Sequence, residues 1–104
     1  MKHLENIQEF EQLLENKELL VVDFYADWCG PCRMLSPTVE ALANKYEGKA
    51  NIVKLNVDNV EEVAYRYRVQ SIPTLIFFKN KEEVARVIGY KSQEDLEEVI
   101  EKLL

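Results

Sequence analysis

The sequence lacks the features that mark a membrane-spanning or nucleic-acid-binding protein. Its longest apolar run, residues 19–22, is far short of the ~20 residues that span a bilayer. Basic residues are outnumbered, with 13 Lys and Arg against 19 Asp and Glu and a net charge of -6. A nucleic-acid partner requires a basic face, so neither a membrane nor a nucleic acid is an expected partner. The first residues also lack the apolar segment and cleavage site of a signal peptide, which favours a cytoplasmic location.

Cysteine and histidine are scarce, which limits the possible metal sites. The chain has two cysteines, Cys29 and Cys32, and one histidine, His3, far from them in the sequence. Structural zinc usually takes four ligands of these types, so a zinc site would need a second copy of the chain at a dimer interface. In a reducing compartment a Cys-x-x-Cys pair is more often catalytic or metal-binding than structural. We therefore expect a catalytic pair, no bound metal and a monomer.

Apolar residues, by contrast, are plentiful enough for one core. Hydrophobic residues make up 47% of the 104 residues and aromatic residues 10%. A chain of this length falls within the size range of one domain, and this composition argues against disorder. Residues 1–104 are therefore expected to form a single domain.

The spacing of the apolar residues predicts the order helix, strand, helix, strand, helix, strand, strand, helix, with the first helix starting directly after the N-terminus. The strands are expected at residues 19–26, 51–57, 74–78 and 84–88, the last two as a hairpin. Asn6, Asp58 or Asn59, and Ser92 are the expected helix N-caps. Alternating strands and helices require parallel pairing, whereas the hairpin adds antiparallel strands. The prediction is an α/β fold with a mixed central β-sheet flanked by helices on both faces.

The most informative motif is Trp28-Cys29-Gly30-Pro31-Cys32, at the point where a buried strand ends and a helix begins. The N-terminus of a helix presents unpaired N–H groups and partial positive charge, which stabilise a thiolate. Pro31 suits a first helical position, because its missing N–H costs nothing there. We expect Cys29, at the outer end, to be exposed and nucleophilic, and Cys32, inside the first turn, to be shielded and to resolve the intermediate.

Residues 22–32 closely resemble the active-site segment of the thioredoxin family, and residues 54–58, 71–75 and 88–89 continue the resemblance. It implies a thioredoxin fold and the reduction of disulfide-containing protein substrates by dithiol–disulfide exchange. It also implies a thioredoxin reductase drawing on NADPH as the electron source, with a ferredoxin-linked reductase as the alternative, and no cofactor bound to this chain. The sequence departs from the family at Tyr25, where tryptophan is common, and in the hairpin at 79–83, which lacks the usual glycine.

Two charged residues stand in strands that are otherwise apolar. Asp23 either reaches water at a sheet edge or is buried with a raised pKa. The resemblance implies the second, with Asp23 as the proton acceptor for Cys32. Lys54 either faces solvent or lies near Asp23, where it would lower the pKa of that acid. The resemblance again favours the second alternative.

A docking surface for the substrate is implied next to the cysteines. Most X–Pro bonds are trans, so the Ile72–Pro73 bond would be trans on sequence alone. The resemblance implies a cis bond, with the Ile72 backbone free to pair with an extended substrate segment. The proposed surface consists of Trp28, Gly30, Pro31, Ile72, Pro73, Ile88 and Gly89. Each apolar residue of this surface could instead belong to the core, and Ile88 is the first candidate for that alternative.

The direction of electron flow follows from how far the thiolate is stabilised. Strong oxidants hold an over-stabilised thiolate, such as one beside a histidine between the cysteines. Here the intervening residues, Gly30 and Pro31, are neutral and Asp27 adds negative charge, which favours a reductant. A disulfide isomerase or oxidase remains an alternative, as does a non-catalytic binding subunit of the same fold.

Overall fold

A computed structural model describes residues 1–104 as five strands and four helices. In chain order these are β1 (Lys2–Leu4), α1 (Ile7–Leu14), β2 (Leu19–Tyr25), α2 (Gly30–Lys45), β3 (Ala50–Asn56), α3 (Glu61–Arg66), β4 (Thr74–Lys79), β5 (Glu82–Ile88) and α4 (Gln93–Leu103). None of the four helices combines the length and the apolar character needed to cross a membrane.

The strands form one mixed sheet in the order β1-β3-β2-β4-β5. β3 pairs in parallel with both β1 and β2, whereas β4 is antiparallel to β2 and β5 is antiparallel to β4. The predicted mixed sheet is therefore confirmed. The expectation that the chain enters a helix directly is wrong, because Lys2–Leu4 forms an edge strand first. Only Leu4 of this strand is buried, so it has no alternating apolar pattern to detect.

Two apolar cores lie on opposite faces of the sheet, as predicted. Alternate side chains of a strand point to opposite faces, so Leu20, Val22 and Phe24 of β2 lie on one face. Phe10 of α1 and Val63 of α3 cover that face. The other face carries Leu19 and Val21 of β2 and is covered by α2 and α4, through Leu35, Val39, Leu42, Leu96 and Ile100.

Helix capping follows the sequence at two of three predicted sites. The Asn6 side chain accepts the Glu9 N–H, and the Ser92 hydroxyl accepts the Asp95 N–H. The expected cap of α3 by Asp58 or Asn59 is wrong, because Val60 is the N-cap and supplies no side-chain hydrogen bond. The Asn56 side chain instead accepts the Asp58 N–H at 2.9 Å and holds the turn before α3. α2 runs through Pro37 as one helix.

Candidate active site

Cys29 is the N-cap residue of α2, directly after the chain leaves β2. It is extended, with φ -88° and ψ 112°, and Pro31 lies in the first turn of the helix. A disulfide joins Cys29 to Cys32, with 5.2 Å between the Cα atoms. The Cys29 Sγ accepts the backbone N–H of Cys32 at 3.2 Å. This sulfur therefore occupies the position where a side-chain oxygen usually caps a helix, and a negative charge on it is stabilised by the helix N-terminus.

Both sulfurs of this disulfide form are covered. Cys29 is 5% exposed and Cys32 is 3% exposed, so the expected contrast in exposure is absent. Ala26 packs with the two cysteines, and Ile72 closes the cluster from a distant part of the chain. The Ile72 carbonyl oxygen lies 3.8 Å from Cys29 Sγ. The burial of Cys29 depends on this contact across 43 positions of sequence, which local pattern does not reveal.

Asp23 is fully enclosed, as the resemblance implies, and the alternative of an edge position is excluded. It is 1% exposed, because β2 is paired with β3 on one side and β4 on the other. In register, Asp23 lies opposite Lys54 of β3 and Leu75 of β4. It follows Val21 by two positions and therefore shares the sheet face that α2 covers. Loss of hydration raises the pKa of Asp23 to about 6, and the positive charge of Lys54 partly offsets this rise.

The carboxylate of Asp23 also lacks one hydrogen bond. Its Oδ1 atom is buried and has no partner within the protein. A buried acceptor without a donor is costly, and protonation of the acid reduces that cost.

Lys54 is buried rather than solvent-facing, with 6% of its surface exposed. Its Nζ donates to the Ser36 hydroxyl at 2.9 Å and lies 4.3 Å from the centre of the Tyr25 ring. Both contacts hold the ammonium group on the α2 side of the sheet, near Asp23. The positive charge of Lys54 acts to lower the pKa of Asp23, whereas the contacts of Lys54 with Ser36 and Tyr25 were not predicted.

A cavity of about 370 Å³ opens beside Cys32 on this side of the sheet. The missed strand β1 brings His3 to its wall, where His3 Nδ1 and the Tyr25 hydroxyl are 3.2 Å apart. His3 is thus remote from the cysteines in sequence but shares a cavity with Cys32. His3 was missed because it lies on β1, a strand that the sequence pattern did not predict. The cavity is lined by His3, Tyr25, Ala26, Asp27, Cys32, Arg33, Ser36 and Lys54.

Of the expected docking residues, Ile72 packs against the cysteine pair. Trp28 is 69% exposed, and its indole N–H donates to Asp58 at 2.9 Å, a partner that was not predicted. The Ile72–Pro73 peptide bond is cis, and the Pro73 carbonyl accepts the Gly89 N–H at 2.8 Å. Ile88 is 55% exposed, so its interpretation as core is wrong. Pro31 is exposed and Gly30 is half-buried, which leaves the mouth of the site open.

No group of three or more His, Cys, Asp or Glu side chains is arranged to hold a metal ion. The two sulfurs that could have served as ligands are bonded to each other. A vicinal cysteine pair of this kind can exchange its disulfide with the thiols of another molecule.

Comparison with known proteins agrees with this geometry. The family model described as Thioredoxin matches residues 2–102. The chain belongs to the thioredoxin family. A thioredoxin from Staphylococcus saprophyticus is 55% identical over 81% of both chains. A thioredoxin from Staphylococcus epidermidis is 49% identical over 92% of this chain and 91% of the relative.

Solved thioredoxins share the architecture as well. A thioredoxin from Plasmodium falciparum superposes with a TM-score of 0.92 at 34% identity, covering 100% of both chains. One from Fasciola hepatica gives 0.91 at 39% identity over 98% of both. The fold is thus the thioredoxin fold, and with its vicinal cysteine pair at disulfide distance the protein is a dithiol–disulfide oxidoreductase of the protein-disulfide reductase type.

Proposed function

We propose that Cys29 is the nucleophile of this thioredoxin-family oxidoreductase and Cys32 its resolving thiol. One observation supports this order above the others: Cys29 Sγ is the N-cap acceptor of α2. The N–H of Cys32 and the helix dipole stabilise a thiolate at Cys29, whereas Cys32 lies inside the first turn and lines the cavity next to Lys54. The first sulfur is thereby placed to attack and the second to follow.

The cycle begins when the Cys29 thiolate attacks one sulfur of a protein disulfide. A bond forms between Cys29 and that sulfur, while the second sulfur of the target leaves as a thiolate and takes a proton from water. Cys32 then loses its proton and attacks Cys29 Sγ, which breaks the bond to the target. Two electrons have passed to the target, and the Cys29–Cys32 disulfide has closed.

Asp23 accepts the proton of Cys32 in this second step, through an intervening water molecule. Its pKa of about 6 supports the role, because a base with a pKa near the working pH is both available and effective. The unpartnered Oδ1 supplies an acceptor on the side that α2 covers. Lys54 moderates the pKa from the neighbouring strand, so that the carboxylate is present near neutral pH.

The substrate docks as an extended segment across an apolar surface. Trp28, Gly30 and Pro31 form one side, and Ile72, Pro73, Ile88 and Gly89 form the other. The exposure of Trp28 and Ile88 and the position of the Ile72 carbonyl beside Cys29 support this assignment. A peptide that pairs with the Ile72 backbone brings its disulfide to Cys29.

The partners follow from this cycle. The substrates are disulfide-containing proteins, and a thioredoxin reductase drawing on NADPH restores the dithiol. Residues 1–104 act as one domain and a monomer in the cytoplasm. The only redox group is then the Cys29–Cys32 disulfide, with no separate cofactor bound.

Trapping separates the two cysteine roles. The Cys32→Ser variant should accumulate a mixed disulfide between Cys29 and a substrate, because the bond forms and is not resolved. Cys29→Ser should form none, and both variants should lose turnover. Each variant is mixed with an oxidised peptide, and mass spectrometry then measures the amount of protein–peptide adduct. A mixed disulfide on Cys32 in the Cys29→Ser protein, at the rate seen for Cys29, would reverse the assignment.

A further inference from the structure

Three ionisable side chains lie in one row across the sheet, from its edge to its centre. In register, His3 of β1 lies beside Lys54 of β3, which lies beside Asp23 of β2. Residues in register on neighbouring strands project to the same face, and Leu4, the next residue of β1, packs in the core on the opposite face. His3 is exposed, whereas Lys54 and Asp23 are 6% and 1% exposed. The row therefore runs from solvent into the interior, on the face that α2 covers.

A proton has to cross between the interior and solvent in each half of the redox cycle. The thiol of Cys32 loses a proton when it attacks Cys29 Sγ, and it regains one when the disulfide is reduced again. Cys32 is 3% exposed and Asp23 is 1% exposed. Neither group reaches bulk solvent, so a path has to connect them to the surface.

The cavity of about 370 Å³ beside Cys32 provides such a path. Tyr25 packs against the cysteine cluster and lines this cavity, and its hydroxyl lies 3.2 Å from His3 Nδ1. The Ser36 hydroxyl, which accepts a hydrogen bond from Lys54 Nζ, is another polar atom of the wall. A polar cavity of this volume has room for several water molecules. Hydroxyl groups and water therefore connect the side of Cys32 with the imidazole at the edge of the sheet.

The other charged groups that face His3 across the cavity are Asp27, Arg33 and Lys54. Arg33 and Lys54 are cations without an acceptor atom, and an exposed carboxylate such as that of Asp27 is a weak base near neutral pH. Loss of hydration and the carboxylate of Asp27 raise the pKa of Tyr25, so its hydroxyl stays neutral. Imidazole is the one lining group that both takes up and releases a proton readily near neutral pH.

We propose that His3 is the proton-exchange residue of the resolving step, acting through the Tyr25 hydroxyl. The proton that Cys32 passes to Asp23 moves through water in the cavity to Tyr25. The hydroxyl gives its own proton to His3 as it receives this one, and the imidazole releases a proton to solvent. The same path returns a proton to Cys32 when the dithiol is restored. This inference rests on the proposed roles of Cys32 and Asp23, and His3 itself touches neither sulfur.

Single-turnover kinetics of the reduced protein with an oxidised peptide test this role. The mixed disulfide forms when Cys29 attacks and disappears when Cys32 resolves it, and rapid acid quench with mass spectrometry follows both steps. His3→Asn places an amide near the position of Nδ1 that cannot exchange a proton. In dilute buffer the mixed disulfide should disappear about fivefold more slowly, a smaller loss than the ~100-fold cost of removing a direct general base. Its formation should keep the wild-type rate.

Added imidazole separates proton exchange from a structural effect. In His3→Asn it should raise the rate of disappearance with its concentration, back to the wild-type value, because free imidazole replaces the missing exchange group. The rescue should increase from about pH 5 to about pH 8, as the neutral base becomes the major form. A defect in the packing of β1 would not respond in this way.

Two further variants define the path. Tyr25→Phe keeps the ring over Lys54 and removes the hydroxyl, so it should slow the disappearance by the same factor as His3→Asn. The double variant should be no slower than either single variant, because both residues act on one path. Lys2→Gln is the matched control on β1, since its side chain pairs with Glu9 at 3.0 Å outside the cavity. It should leave both steps unchanged.

Three results would overturn the role of His3. They are a wild-type rate of disappearance for His3→Asn in dilute buffer, a loss that imidazole does not restore, and losses that multiply in the double variant. A loss in Asp27→Asn with none in His3→Asn would assign the exchange to that carboxylate instead. If the wild-type mixed disulfide does not form on Cys29, or disappears equally fast without Cys32, the proposed function fails rather than this inference.

Discussion

Burial in the centre of the sheet makes Asp23 far easier to protonate than an ordinary aspartic acid. The largest cause is loss of water around the carboxylate, and the opposing field of Lys54 is too weak to cancel it. The pKa therefore rises from 3.8 to about 6. A buried acid with a strongly perturbed pKa is more typical of a functional site than of a structural one.

Because its pKa is raised, Asp23 lowers the free energy of unfolding when the pH is above that pKa. Between about pH 4 and pH 6 the folded protein retains a proton that the unfolded chain releases, so the free energy of unfolding falls as the pH rises through this range. Asp23→Asn removes that dependence. We expect the variant to be about 3 kcal/mol more stable than the parent at about pH 8, with the difference closing towards pH 4.

Urea unfolding of the oxidised proteins at both pH values measures this difference. A stability gain that is the same at both pH values would mean that the raised pKa is not its source. The same substitution should slow the release of substrate from the mixed disulfide by roughly 100-fold, because a general base has been removed. Rapid-quench measurement of that step distinguishes the catalytic from the structural effect.

Lys54 shows why residue type and periodicity are not sufficient at this scale. An ammonium group in a strand usually marks the solvent side, and the sequence allows that interpretation. Here its Nζ is held by the Ser36 hydroxyl and the Tyr25 ring. Both partners come from other elements, α2 and β2, so only their packing shows that Lys54 is buried.

At the scale of elements, the β4–β5 turn departs most from local preference. Asn80 and Lys81 form a two-residue connection with φ values of 54° and 71°. This is the left-handed region at both positions, as in the tight turns that favour Asn followed by Gly. Asn80 fits that pattern, whereas a lysine at the second position is strained.

Relief of this strain is testable. Lys81→Gly should raise the free energy of unfolding by about 0.5–1 kcal/mol, since glycine adopts positive φ without a Cβ clash. The substitution also removes the Lys81–Glu15 ion pair at 3.0 Å, but an exposed pair contributes little. Lys81→Ala is the control, because it removes the pair and keeps the strain. Thermal unfolding of the three proteins compares them, and an equal gain from alanine would exclude backbone strain as the cause.

The end of α3 is built in a similar way. The Arg68 N–H donates to Tyr65 and the Val69 N–H to Ala64, with Arg68 at φ 54°. These paired bonds are the pattern in which helices commonly end on a left-handed residue, usually glycine. The arrangement fixes the position of Val69 against the end of α3 and leads the chain towards Ile72.

At the scale of the whole molecule, the charge around the cysteine pair decides the direction of electron flow. The residues between the cysteines are neutral, and Asp23 and Asp27 place carboxylates on the same side as Cys32. Negative charge near the sulfurs opposes the thiolate form and favours the disulfide once electrons have been passed on. The protein as a whole should therefore donate electrons.

Equilibration of the protein with graded mixtures of reduced and oxidised glutathione measures this property. The midpoint should lie well below the glutathione poise, with alkylation and mass analysis reporting the dithiol fraction. Pro31→His should move it upwards, because a histidine between the cysteines stabilises the thiolate. A wild-type midpoint above the glutathione poise would indicate an oxidase or isomerase.

Sequence alone determined the redox motif, the start of α2 at the cysteines and the two-sided sheet. These depend on local spacing: apolar alternation, a proline in the first helical turn, and caps such as Asn6 and Ser92. Tertiary structure decided the rest, because burial depends on residues distant in the chain. It enclosed Asp23 and Lys54 between β2, β3 and α2, exposed Ile88, covered Cys29 with Ile72, and brought His3 on a short edge strand to the cavity beside Cys32.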